Sequence, residues 1–395
     1  MGVHVAVVGG GIGGLCLAQG LRRHGVEVSV HERDATPTDR LQGYRLHIDP
    51  VGARALHECL PPAAWERFAA TTGRGGGGFG FRDERLRRLL VLDDPDAEPE
   101  RAHHSVSRVT LREVLLDGLG DAVRFGRRFT RYEHEGGRTT AHFADGTSTR
   151  CDVLVGADGA GSAVRAQLLP HARRVDTGIT AVAGRLPLTP GTRAWLPPEL
   201  LAHATAVVPR AAAGMFLAPH ELDRDGYLMW AYAARDLEIG ADGPRRAVAD
   251  RVHHWHPDLV RLVGETPHDT VSRWPIRTSV PVPAWEPSRV TLLGDAIHSM
   301  TPMRGVGANT ALRDAAVLCR NLVEREPLAA IADYERRMRR YGFAAVGASL
   351  RGARQFVSGN AAGKAAFRTA LRVFEAVPPL KRAAFRERGA DRRSS

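Results

Sequence analysis

Lysine is almost missing from this chain: Lys364 and Lys381 are the only two among 55 basic residues. The formal charge of +11 is therefore carried by arginine, spread along the whole length in the manner of a GC-rich coding bias. Such a charge forms no stripe that could track a phosphate backbone, so nucleic acid is not expected as a partner. Cysteine is scarce too. Cys16, Cys59, Cys151 and Cys319 show no C-x-x-C spacing and lie in apolar surroundings, which excludes a redox pair and predicts buried free thiols in a reducing cytoplasm. No apolar run approaches the ~20 residues of a membrane span, and no charged leader precedes the first apolar strand. A cytoplasmic protein is expected. There is no G-x-S-x-G elbow for hydrolysis. The glycine run Gly73–Gly80 lacks the Gly-Lys-Ser/Thr ending of a phosphate loop and reads as a crossover. His253-His254-x-His256 ends a helix at Pro257 with no acidic partner, and His103-His104 reads as loop, so no metal site is expected.

What the sequence does have begins at Val5. Val5–Val8 is a β-branched run suited to a buried parallel strand. The pattern G-x-G-x-x-G follows as Gly9, Gly11 and Gly14. Leu15, Leu17, Ala18 and Leu21 then form one apolar helix face, Gly25 closes the helix, and Val26–Val30 gives a second strand ending at Glu32. Gly9 permits the tight turn and Gly14 permits close helix–strand packing. Gly11 lets a pyrophosphate approach the helix N-terminus, and Glu32 can accept from a ribose diol. The unit predicts a bound dinucleotide, without separating FAD from NAD(P). Arg33, beside Glu32, is grouped with it as cofactor-binding.

Further along, Gly43–Ile48 alternates like a strand, and Asp49-Pro50 starts a helix to about Leu60. Ser105–Arg108 leads into a helix over about 109–119, and Cys151–Val155 is a buried strand running into Gly156-Ala157-Asp158-Gly159. From about Val175 to Val280, strand-like runs separated by proline-rich loops, with one helix at Pro244–Trp255, predict an α+β insert on a mostly antiparallel sheet. Val290–Leu293 returns to a buried strand ending in Gly294-Asp295, ahead of helices over about 308–323 and 329–350. The fold class is α/β: a Rossmann-like dinucleotide domain assembled from 1–72, 98–174 and 286–350, and a substrate domain from 73–97 and 175–285. The remainder, 351–395, is read as a C-terminal helical segment with a basic tail expected to fray.

Three separated motifs carry a family resemblance. They are the N-terminal fingerprint, the middle Asp158-Gly159…Ser162…Arg165, and the late Gly294-Asp295…Pro302…Gly305-Val306-Gly307-Ala308-Asn309…Asp314. In order and spacing they resemble the flavin-dependent aromatic hydroxylases, single-component FAD monooxygenases with the p-hydroxybenzoate hydroxylase fold, over about residues 3–350. The resemblance implies that Asp295 holds the ribityl hydroxyls of FAD. It places Pro302, Gly305, Gly307 and the amides of Ala308 and Asn309 beside the flavin N1–C2 carbonyl, where a helix N-terminus stabilises negative charge. It further implies that Asp158 serves FAD and NAD(P)H, that Arg108 contacts FAD, and that Arg45 lies near the flavin. Met300-Thr301 and Met303-Arg304 depart from the usual late motif and bear on the pocket's shape.

The implied activity is NAD(P)H- and O2-dependent hydroxylation or epoxidation through a C4a-(hydro)peroxyflavin. NAD(P)H would bind transiently, which accords with the single fingerprint. The insert strands carry few charges, so the expected substrate is an apolar or aromatic small molecule such as a natural-product intermediate. Tyr227, Met229, Trp230 and Tyr232 are candidate lining residues, of which strand alternation turns only one set inward, and His47 joins them beside Arg45. A monomer or homodimer is expected. Two other readings stay open: a same-fold flavoprotein that reduces, dehydrogenates or epoxidises an isoprenoid, and a binder that turns nothing over.

Overall fold

The computed structural model describes residues 2–37, 39, 45–72, 78–93, 98–220 and 226–385. The expected glycine-rich crossover at 73–77, the start of the Gly43–Ile48 strand and the tail beyond Phe385 lie outside them. Two compact units emerge, one from 1–72, 97–175 and 277–352, the other from 73–96, 176–276 and 353–395.

The first unit is built on a five-stranded parallel sheet in the order Val290–Leu292, Val153–Gly156, His4–Val8, Glu27–His31, Val123–Arg124. Val5, Ala6 and Val7 are fully buried, as a central strand covered on both faces requires. Each valine so buried contributes about 1.5–3 kcal/mol. The helix Ile12–Arg23 returns over the sheet with Leu15, Leu17, Ala18 and Leu21 inward, and Gly25 takes a φ of 73° just past its end. Asp49 caps the helix Pro50–Cys59 by accepting from the amides of Val51 and Gly52 at 2.9 and 3.0 Å. The short strands Arg45–Ile48 and His104–Ser107 pair antiparallel, with His47 opposite Ser105. His104 is thus part of a strand. The expectation of a loop at His103-His104 holds for His103 and fails for His104, because a polar four-residue strand carries almost no periodicity.

The second unit holds a seven-stranded sheet in the order Ser272–Ser279, Arg174–Pro187, Tyr227–Arg235, Ala213–His220, Ala204–Val207, Gly78–Arg82, Arg88–Asp93. From Arg174–Pro187 to Arg88–Asp93 its pairings are antiparallel except between Ala204–Val207 and Gly78–Arg82. The sequence predicts one helix in this region; among the described residues the structure adds two short ones, Pro190–Arg193 and Pro198–Ala202, and a longer one, Pro257–Glu265. Pro257 was read as a stop. It is instead the first residue of a helix, where a missing N–H is harmless, and His256 caps that helix by accepting from the Asp258 amide at 3.3 Å. Leu259, Leu262 and Val263 of this helix pack with Val248, Val252 and Trp255 against Leu228, Trp230 and Tyr232 of the sheet. The helices Ala361–Ala376 and Pro378–Phe385 group with this unit rather than standing apart. Leu371 joins Leu89 and Leu90 in a small core there, and Lys364 donates to the Ala213 carbonyl at 2.8 Å.

Candidate functional site

The glycine loop separates into residues the protein itself requires and one it does not. Gly9 has φ 110°, and a Cβ on it would meet the Ala157 carbonyl oxygen at 2.4 Å. A Cβ on Gly14 would meet the Gly9 carbonyl oxygen at 2.2 Å. At Gly11 a Cβ would meet nothing within 4 Å, and its φ of −80° and ψ of 177° suit any residue. The protein leaves open space on that side, at the start of a helix with no side-chain cap and no acid in its first turn. Free N–H groups, partial positive charge and an approach unobstructed by a side chain fit a pyrophosphate.

Glu32, at the end of the second strand, is buried and grips both neighbouring turns. One carboxylate oxygen accepts from the Gly10 amide at 2.6 Å, the other from the Asp34 amide at 3.0 Å. Arg33 is exposed, and neither its side chain nor that of Arg108 hydrogen-bonds to the described residues. Arg108 opens the helix Arg108–Leu116, capped by Ser107. One turn on, Arg112 donates to the Gly10 carbonyl at 3.2 Å and lies 4.0 Å from Asp34, tying the glycine loop to the Glu32 turn. Sequence reasoning passed over Arg112, although its spacing from Arg108 puts both on one helix face.

The middle motif folds onto itself. Asp158 accepts from the amides of Ala163 and Val164 at 2.7 and 3.3 Å, and Ser162 accepts from Arg165 at 2.8 Å, so both fasten the start of the helix Ala163–Leu168. The other Asp158 oxygen is buried without a partner among the described residues. Arg165 donates to the Ala296 carbonyl at 2.6 Å, joining the middle motif to the late one.

In the late motif, Gly294 (φ 65°, ψ −138°) turns the chain out of its strand and presents Asp295 on the short helix Asp295–His298. Asp295 is exposed and makes no hydrogen bond to the described residues. Pro302 begins a single helical turn, Gly305 is left-handed, and the helix Gly307–Glu324 starts with no acid in its first turn. The amides of Gly307, Ala308 and Asn309 precede any intrahelical acceptor. The Asn309 side chain is fully engaged: its amide donates to the carbonyls of His47 and Gly305 at 2.9 and 3.2 Å, and its oxygen accepts from Asp49 at 2.9 Å. This staple brings His47 and Arg45 to the late turn. Arg45 bonds Ser105, and the rings of His47 and His103 stack with nitrogens 3.0 Å apart.

Burial, reinforced by His103 and Arg45, pushes the His47 imidazole down to about 3. Burial, with Arg124 and Arg127 nearby, does the same to His31 in the second strand. Both are neutral in the folded protein, whereas an unfolded histidine takes its proton near 6.5. Their contribution to stability is therefore complete above about pH 6.5 and is lost as pH falls toward 3. Denaturant melts from about pH 7.5 to about pH 4 should show this loss, and the double variant H31Q/H47Q should lose less over the same range.

On the insert, Trp230 and Tyr232 are core rather than lining. Trp230 is fully buried and donates to Thr266 at 2.8 Å, and Tyr232 packs on Trp255 with ring centroids 6.0 Å apart. Tyr227 and Met229 lie on the opposite face, where the Arg185 guanidinium stands 5.7 Å from the Tyr227 ring.

The FAD binding domain family matches residues 2–333. The chain is 32% identical over 348 residues to a 3-amino-4-hydroxybenzoate 2-monooxygenase of Streptomyces platensis, a match covering 84% of this chain and 83% of the relative. The chain belongs to the FAD-dependent monooxygenase family. A solved structure from Photorhabdus luminescens, assigned as an FAD-containing monooxygenase, superposes on this flavoprotein with a TM-score of 0.81. That match has 38% identity and covers 90% of this chain and 98% of that one. A dual O-methyltransferase/FAD-dependent monooxygenase of Phaeosphaeria nodorum is 32% identical over 368 residues, 80% of this chain. The chain spans only about two fifths of the length of that and the next curated relatives it matches. FAD is the cofactor of this family, and the open Gly11, the uncapped helix start and the unengaged Asp295 fit it. No helix among the described residues is long and apolar enough to cross a membrane.

Proposed function

We propose that this flavoprotein is an NAD(P)H-dependent monooxygenase that transfers one atom of O2 to an apolar or aromatic small molecule, by hydroxylation or epoxidation. The observation that supports it most directly is the open approach at Gly11, a glycine with no reason in the protein's own packing, on the first unit's parallel sheet with Glu32 and Asp295. FAD supplies hydride acceptance and oxygen activation when bound. The chain's own tasks are separate from that chemistry. The helix start at Gly11 holds the pyrophosphate, Glu32 the ribose and Asp295 the ribityl chain. The amides of Gly307, Ala308 and Asn309 stabilise negative charge on the ring. Arg108, Arg45, Arg33 and Asp158 are the remaining cofactor contacts, and His47, Tyr227 and Met229 the candidate substrate contacts. We place the protein in the cytoplasm, as a monomer or homodimer.

The test is an absorbance spectrum of purified protein, followed by NADPH addition in air. Oxidised-flavin absorption that bleaches and recovers, with substrate-stimulated NADPH oxidation and an oxygenated product, is the expected result. NADPH consumption without oxygen transfer would make the protein a reductase or dehydrogenase of the same fold. A colourless protein that takes up no added FAD would overturn the reading.

A further inference from the structure

Asp314 is completely buried in the middle of the helix Gly307–Glu324, seven residues beyond its start, and its carboxylate is shared by three donors from two other elements. One oxygen accepts from the Gly294 amide at 2.8 Å and from His298 Nε2 at 2.6 Å. The other accepts from the Tyr341 hydroxyl at 2.6 Å, on the helix Pro327–Phe356. Gly294 and His298 are the two ends of the turn that carries Asp295. Gly294 holds a backbone conformation in practice reserved for glycine, and a Cβ there would come within 3.1 Å of the Ala311 side chain. The backbone of the long helix closes in on the ring as well: a Cβ on Gly342 would meet His298 Cδ2 at 2.8 Å. His298 Nδ1 is buried without a partner among the described residues, so Asp314 is the hydrogen-bond partner that orients the ring.

We propose that the Asp314–His298–Tyr341 cluster is the positioning device for Asp295: it fixes both ends of the Gly294–His298 turn and thereby sets how tightly FAD is held. The Asp295 carboxylate has no hydrogen bond among the described residues to orient it, only the attraction of the Arg174 guanidinium, whereas the turn beneath it is anchored at each end to one buried carboxylate. Outer-shell anchors of this kind govern ligand affinity because they remove the freedom a ligand would otherwise have to freeze out. The other charged and titratable groups around the cluster are Asp295 on the turn, Arg313 on the helix of Asp314, and Tyr334 and Arg337 on the long helix. Burial disfavours the His298 imidazolium, but the Asp314 carboxylate outweighs it and moves the group upward from its ordinary value.

The inference rests on Asp295 as a cofactor ligand, so the experiment measures FAD dissociation constants by titrating apoprotein for wild type and five variants. D295A should weaken binding about 10-fold or more. D314A removes all three acceptor contacts and should weaken it about 10- to 100-fold. D314N keeps a carbonyl oxygen toward Gly294 and His298 and an amide toward Tyr341, and should restore affinity to within about threefold of wild type. H298Q and Y341F each lose or loosen one bond and should weaken binding about 2- to 10-fold, carrying the test should D314A not fold. Unchanged affinity in D295A would show that Asp295 is not a ligand. Weakened D295A with folded D314A, H298Q and Y341F at wild-type affinity would overturn the positioning role, whatever happens to their melting temperatures.

Discussion

Replacing Gly11 with alanine is expected to weaken FAD binding about 10- to 100-fold while leaving the apoprotein at least as stable as before. The added methyl meets no protein atom within 4 Å and needs no change of backbone conformation. Removing a glycine also restricts the unfolded chain, worth about 0.4–1 kcal/mol in favour of the variant. Any penalty must then come from the ligand, whose phosphates would have to retreat from the helix start and surrender hydrogen bonds to its amides. Gly14→Ala provides the contrast. Its methyl would sit 2.2 Å from the Gly9 carbonyl oxygen, so it should destabilise the apoprotein itself by about 1–3 kcal/mol. Thermal melts of both apoproteins, followed by FAD titration, separate the two cases. Wild-type affinity in the Gly11 variant would mean that no phosphate approaches the backbone there.

The second large effect lies in the other unit. Arg368, on the helix Ala361–Ala376, donates to Asp83 at 3.1 Å and to Glu84 at 2.8 Å. Asp83 is almost fully buried, and its other oxygen accepts from the amides of Arg85 and Arg87. Changing Arg368 to methionine keeps most of the volume and strands a buried carboxylate, with only the half-exposed Arg372 at 3.6 Å to answer it among the described residues. A loss of about 3–5 kcal/mol is expected. Adding Asp83→Asn removes the stranded charge and keeps an acceptor for both amides. The double variant should therefore be more stable than R368M alone, a non-additivity read from denaturant midpoints. Equal destabilisation in the two would show that the ion pair contributes little and that the guanidinium acts through packing.

What could be read from the sequence was what neighbouring residues decide together. The βαβ unit, the Asp49-Pro50 cap and the glycine after the first helix are local devices with local signatures, and each stands where the spacing put it. Pro257 was local too, yet ambiguous, because a proline ends one helix and opens the next with equal ease. The strand Tyr227–Arg235 announced its alternation but not which face the helices would cover, so Trp230 and Tyr232 were grouped with residues on the other side. The remaining gaps are contacts between distant segments. His47 meets His103 from 56 residues away, Asn309 reaches back 262 residues to His47, and Asp314 gathers His298 and Tyr341 from either side. A motif records which residues stand together; it does not record which of them hold one another in place.

The four buried thiols set where oxidative wear begins. Cys16, Cys59 and Cys319 come from three helices that close on one another, and a Cβ on Gly20 would strike the sulfurs of Cys319 and Cys59 at 2.8 and 3.1 Å. Hydrogen bonding with Cys16 raises the Cys59 thiol well above its usual range, and burial pushes Cys151 up to about 12. Cys59, Cys151 and Cys319, all held up in this way, offer no thiolate to peroxide, and Cys16 is sealed from it by burial. Under an oxygen-activating function, the sulfur within reach is thioether instead. Met300 and Met303 are half-buried and flank the late turn, whereas Met215 and Met338 are sealed in the cores. Sulfoxide would accumulate first where oxygen is handled, ageing the protein from its site outward.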